Sequence, residues 1–131
     1  MKYLKLLFSL GIIVLFDQLI KGWAIKSSFF RTNNHYVLGN LQLDFFWATC
    51  IILFFVLLWT WFERKNFSKF TISFVLIFAS LLSNLIDRLI WAGVIDYFQL
   101  IIFKFTINFN LADLFFLVGL GIYVTKKTKE N

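Results

Sequence analysis

Apolar residues run almost unbroken through four stretches of this chain, and polar residues gather between them. The stretches cover about Leu4 to Ile25, Phe45 to Phe62, Phe70 to Trp91 and Leu111 to Val124. A helix rises about 1.5 Å per residue, so about 20 apolar residues cross a hydrocarbon core about 30 Å thick. The pattern predicts four membrane-spanning helices in one domain, residues 1–131, with the last span short. The first run could be read as a cleavable signal sequence. However, Asp17-Gln18-Leu19-Ile20-Lys21 follows Phe16 where small residues would mark a cleavage site, and the helical pattern continues through it.

The two long connections, about 26–44 and 92–110, follow another rule. From Phe103 to Asn110 apolar and polar residues alternate strictly, which is the period of a strand with one buried face. Leu41-Gln42-Leu43-Asp44-Phe45 alternates too, after Tyr36-Val37-Leu38 and a Gly39-Asn40 pair suited to a two-residue hairpin turn. A small β-layer on the membrane surface is expected, with irregular Phe-anchored loops as the alternative.

Composition narrows the class. Hydrophobic residues make up 60% of the chain and charged residues 15%, too apolar a mixture for a short chain to bury from water. A single cysteine, Cys50, and a single histidine, His35, exclude an internal disulfide and leave a multi-histidine metal centre or a Ser-His-Asp triad without support. The net charge of +6 is explained by placement. Lys2 and Lys5, then Arg64, Lys65 and Lys69, then Lys126, Lys127 and Lys129 all fall on one side of a four-span chain. That side is cytoplasmic by the positive-inside rule, with both termini inside. A nucleic-acid partner is not expected.

The predicted spans carry polar residues that cost free energy in lipid. Asp17 and Lys21 are four apart on the first span and can pair on one face. Ser80, Asn84, Asp87 and Arg88 form one stripe on the third. Asp96 follows that span, and Asn110 and Asp113 open the fourth. With the topology above, all of these groups converge near the outer surface. An ion-pair network, such as Arg88 with Asp17 or Asp87, accounts for some of them. It does not account for four aspartates against two cations, Lys21 and Arg88. Excess carboxylates in one layer fit a pair sharing a proton, the chemistry of an aspartyl protease. They also fit a proton-coupled transporter, and spacing alone does not separate the two. Ser27 or Ser28 beside Lys26 makes a weaker Ser-Lys hydrolase candidate, because no third group orients the pair.

The polar motifs resemble those of the signal peptidase II family, the bacterial lipoprotein signal peptidases. Asp17-Gln18-Leu19-Ile20-Lys21 is similar to the family's D-Q-x-x-K, and Asn84-Leu85-Ile86-Asp87-Arg88-Leu89 to its N-x-x-D-R-L. Val94-Ile95-Asp96-Tyr97 resembles V-x-D-[FY], and Phe109-Asn110-Leu111-Ala112-Asp113 resembles F-N-x-A-D. The blocks stand in the family order on the family's four-span plan.

The resemblance implies a catalytic dyad of Asp96 and Asp113, supported by Asp17, Lys21, Asn84, Asp87, Arg88 and Asn110. It implies hydrolysis of a prolipoprotein before a diacylglyceryl-modified cysteine, at the outer face of the bacterial cytoplasmic membrane. It implies no metal and no organic cofactor, a lipidated prolipoprotein and membrane lipids as partners, a monomer, and a β-cradle over the substrate site. Two departures stand out. The family's N-x-G-A-A-F-G block is absent from residues 41–49, and with it a polar contact on the substrate side. Ser83 also stands where a glycine usually precedes the Asn. The first departure also suits a non-catalytic relative that binds lipidated peptides.

Overall fold

The structure, a computed structural model, describes residues 2–27, 31–33, 36–38, 41–43, 45–63, 65, 68–91 and 93–129. The four apolar runs are four helices: α1 (Lys2–Lys26), α2 (Phe45–Phe62), α3 (Thr71–Trp91) and α4 (Leu111–Thr128). Each begins and ends within a few residues of the hydropathy boundaries. The exception is the end of α4, which runs on to Thr128. Its Thr125 and Thr128 hydroxyls turn back onto Gly121 O and Val124 O, one turn earlier in the same helix.

Among the described residues, six short strands join the helices. These are β1 (Arg31–Asn33), β2 (Tyr36–Leu38), β3 (Leu41–Leu43), β4 (Val94–Asp96), β5 (Phe98–Ile102) and β6 (Phe105–Phe109). They form three antiparallel pairs. β2 and β3 make the hairpin expected from the sequence, with Leu38 opposite Leu41; its Gly39-Asn40 turn lies outside the described residues. β1 pairs with β4, placing Arg31 opposite Asp96. β5 and β6 form a second hairpin with Phe98 opposite Phe109 and Ile102 opposite Phe105.

The alternating run from Phe103 is therefore a strand only from Phe105. Register closes the hairpin over Phe103 and Lys104, and Phe103 takes a φ of 53° to do so. β5 itself escapes a pattern search, because the run Leu100-Ile101-Ile102-Phe103 has no period of two.

α3 is the central helix and packs along α4, α1 and α2. The α3–α4 contact is tight. A Cβ built on Gly119 would lie 2.9 Å from the Ser73 carbonyl oxygen and 3.0 Å from Ile77 and Leu76, so this position has room only for glycine. At the far end of the bundle, Glu63 accepts from the Tyr123 hydroxyl at 2.9 Å and the Lys127 ammonium at 2.6 Å. There Trp59 and Phe74 lie edge-on or tilted against Tyr123, joining α2, α3 and α4.

Polarity is inverted relative to a protein folded in water. Asp17, Lys21, Ser83, Asp87 and Asn110 are fully buried, while Leu4, Phe8, Phe54, Phe62 and Leu117 lie open on the surface. Apolar surface on this scale is stable only in apolar surroundings. Among the described residues, α3 is long and apolar enough to cross a membrane, and Cys50–Phe62 is a shorter apolar helix.

Candidate active site

The polar core is built around one lysine. Lys21 Nζ lies 2.7 Å from Asp17 Oδ2, 2.7 Å from Asp87 Oδ2 and 2.9 Å from Asn84 Oδ1. An ammonium has three protons to donate, and here each has an acceptor. A buried charge is tolerable only when paired and hydrogen-bonded in this way. The α-helical repeat explains the local half of the arrangement. Asp17 and Lys21 share a face of α1, and Asn84 and Asp87 share the inward face of α3.

The sequence suggested Arg88 as the partner of Asp17 or Asp87. Instead Lys21 bridges both carboxylates. The guanidinium of Arg88 turns along its own helix and donates to Asn84 O at 2.8 Å. Helix geometry gives the reason: position 88 lies toward the flank of α3, half-buried, whereas Lys21 enters from the helix that α3 packs against.

Asp17 and Asp87 also hold other elements, each through both of its oxygens. Asp17 accepts from the Ser83 hydroxyl at 2.5 Å and from Ala112 N, in the first turn of α4, at 3.1 Å. Asp87 accepts from Gln18 Nε2 at 2.8 Å and from Ile95 N, in the middle of β4, at 3.2 Å. Thus Asp17 grips the start of the helix that carries Asp113, and Asp87 grips the strand that carries Asp96.

Asn110 joins those two carboxylates. It is the N-cap of α4, its side chain accepting from Asp113 N while Asp113 Oδ2 accepts from Asn110 N at 3.0 Å. This reciprocal capping box satisfies two orphan donors of the helix start. The Asn110 amide also donates to Asp96 Oδ1 at 3.0 Å, Asn84 Oδ1 at 3.2 Å and Ile95 O at 3.3 Å. Asn84 in turn donates to Asp113 Oδ1 at 3.0 Å. Asp96 and Asp113, which lie 17 positions apart in the chain, therefore sit around a single Asn84–Asn110 amide pair. Asp96 is buried and Asp113 partly open.

Three contributors carried no role in the sequence reading. Ser83 links Asp17 to the Gln18 amide, which donates to its hydroxyl at 2.9 Å. Its spacing with Ser80, Asn84 and Asp87 on one helix face was the available signal. Gln18 spans to α3 from the same turn as Asp17. Tyr97 accepts from Leu111 N at 3.1 Å. Burial pushes the Tyr97 phenol above its usual range; the Leu111 N–H partly opposes this and the Asp17 charge reinforces it. The phenol stays protonated and able to donate. No spacing rule singles out Tyr97, because its partners are distant in the chain.

The family described as Signal peptidase (SPase) II matches residues 9–128. The lipoprotein signal peptidase of Bartonella quintana is 36% identical over 115 residues, covering 84% of this chain and 63% of that protein. That of Bartonella henselae is 38% identical over 104 residues, covering 76% and 58%. The chain thus spans less than two thirds of the length of these curated relatives. A bacterial membrane enzyme solved in meso at 1.9 Å resolution superposes with a TM-score of 0.75 at 24% identity, over 97% of this chain and 94% of that one. Another, at 2.3 Å, gives 0.72 at 22% identity over 96% and 88%. These two share the fold.

Proposed function

The chain belongs to the signal peptidase II family, and from that premise we propose that it is a membrane aspartyl endopeptidase. It removes signal peptides from diacylglyceryl-modified prolipoproteins by cleaving before the lipidated cysteine. The observation that carries this reading is the joint attachment of Asp96 and Asp113 to Asn110. Asp17 and Asp87 are saturated by Lys21, Ser83, Gln18 and main-chain N–H groups. They hold the scaffold through Ala112 N and Ile95 N, whereas Asp96 and Asp113 meet at one Asn84–Asn110 amide pair.

In this reading a water sits between the two carboxylates. The charged one takes a proton from the water as its oxygen attacks the scissile carbonyl, and the neutral one donates a hydrogen bond to that carbonyl. Collapse of the tetrahedral adduct breaks the C–N bond. The departing amine, that of the lipidated cysteine, takes a proton from the carboxyl that gained one. The second half of α1, the end of α3 and the start of α4 carry the network. Four spanning helices with both termini cytoplasmic would put all three at the outer face, where the cleaved bond lies.

The absent N-x-G-A-A-F-G block favours a second reading, a non-catalytic relative that binds lipidated peptides. One assay separates them. Purified protein is incubated with a lipidated prolipoprotein and cleavage is followed by gel mobility, beside an Asp113→Asn variant. Cleavage by the parent alone supports the peptidase. Binding without cleavage, or equal cleavage by both, sinks the two-aspartate mechanism.

A further inference from the structure

The β5–β6 hairpin exposes apolar side chains along its length. Register puts Phe98, Leu100 and Ile102 on one face with Ile107 and Phe109, and Gln99 and Ile101 on the other with Thr106 and Asn108. The strict alternation from Phe103 implied one buried face. In the fold, Phe98, Leu100, Ile102 and Ile107 are all exposed. The opposite face is polar at its base, where Gln99 meets Asn108, but ends in Ile101, also exposed. The tip is therefore apolar on both faces.

Phe103 crowns it. This side chain is 97% exposed, and its φ of 53° lies in the left-handed region that hairpin turns ordinarily fill with Gly, Asn or Asp. Among the described residues, no contact offsets the strain or the exposure of this phenyl ring. A partner protein would cover one face of such a hairpin. An acyl-chain medium surrounds the tip on every side. Two further features point to lipid. Lys104, exposed beside Phe103, can keep its ammonium among phosphates while its stem follows the apolar tip. Trp23 on α1 and Trp91 on α3, both exposed, mark an interfacial belt at the end of the bundle where the polar network lies.

We propose that the β5–β6 hairpin inserts its tip, Ile101 to Phe103, into the acyl region of the membrane leaflet nearest the polar network, and so sets the depth of Asp96 and Asp113. The connection is direct. β5 leaves two residues after Asp96, and β6 returns to Asn110, the cap that binds both carboxylates. A strand of five residues reaches about 17 Å, so a fixed tip fixes the height of its base. The depth-setting role rests on the peptidase reading above; the insertion itself is measured without turnover.

Nitroxide labels are placed at Phe103→Cys and Ile101→Cys on a Cys50→Ser background, with Lys129→Cys as a control. The proteins are reconstituted in nanodiscs of phosphatidylcholine and phosphatidylglycerol. Insertion predicts that collisions with oxygen exceed those with a water-soluble nickel chelate at 101 and 103, and the reverse at 129. Nickel access at 103 overturns the proposal, because the tip is then in water. Exclusion of both reagents also overturns it, because protein, including a second copy, then covers the tip. The depth role is read with Phe103→Asn, which suits the left-handed backbone but removes the anchor. Turnover of lipidated substrate should fall several-fold in nanodiscs and stay unchanged in detergent micelles. Equal turnover in both, or an equal loss in both, rejects the depth role while leaving the peptidase reading standing.

Discussion

The side-chain amide of Asn110 stands 3.0 Å from Asp96 Oδ1, donating to a carboxylate on a strand 14 residues away. The same residue caps α4 and holds Asp113 from its main chain. One side chain therefore sets both the start of a helix and the relative position of two acids.

That dual role can be split. Asn110→Ser keeps an N-cap oxygen but removes the amide that reaches Asp96, Asn84 and Ile95. Asn110→Ala removes both. Turnover should be lost in each, while Asn110→Ala should be less stable than Asn110→Ser by about 1 kcal/mol, the usual worth of a cap. Thermal unfolding in detergent and a cleavage assay read the two effects. Normal turnover by Asn110→Ser would show that the grip on Asp96 is dispensable.

Asp96→Asn and Asp113→Asn should each abolish cleavage while the fold persists. The double variant should be scarcely worse than either alone, because groups acting as a unit are not additive. Asp17→Asn and Asp87→Asn should instead give graded losses together with lower stability, since those carboxylates hold Ala112 N and Ile95 N. Rates at equal folded concentration decide between the two pairs.

Lys21→Met should be the most damaging single change to stability in the polar core. It leaves Asp17 and Asp87 buried without their shared cation, and breaking a buried pair costs about 3–5 kcal/mol. Adding Asp87→Asn should restore part of the loss by removing one of the stranded charges. Unfolding midpoints of the single and double variants test this, and a double variant weaker than Lys21→Met would contradict the assigned bridge.

Gly119→Ala should force α3 and α4 apart, because the new methyl group meets the Ser73 carbonyl oxygen at 2.9 Å and backbone has little freedom to yield. Overpacking of this kind costs about 1–3 kcal/mol. The shift also separates Asn84 on α3 from Asp113 on α4, so turnover should fall further than stability. An unfolding curve and a rate measured on the same preparation give the comparison. Activity that merely follows the folded fraction would show that the helix spacing is not transmitted to the site.

Reporter fusions at the C-terminus and within residues 26–44 should lie on opposite sides of the membrane, as the basic clusters at 2–5, 64–69 and 126–129 require. A C-terminal reporter outside the cytoplasm would remove the common depth of the acidic residues.

The helices were legible in the sequence because hydropathy and the helical repeat are local: four apolar runs sufficed to find α1 to α4, and spacing put Asp17 with Lys21 and Asn84 with Asp87. The hairpin of β2 and β3 was legible for the same reason, from alternation around a two-residue turn. The family motifs named the acids. What the chain order could not supply was partnership between distant segments. That Lys21, not Arg88, bridges Asp17 and Asp87 depends on which face of α1 meets α3. That Asn110 binds Asp96, or that Tyr97 meets Leu111 N, depends on β4 lying beside the start of α4. The turn at Phe103 depends on register, which cross-strand pairing decides and which an unbroken apolar run cannot encode. Local periodicity determines elements; hydrogen bonds among buried polar groups from different elements determine the site, because each such group must find a partner wherever packing brings one.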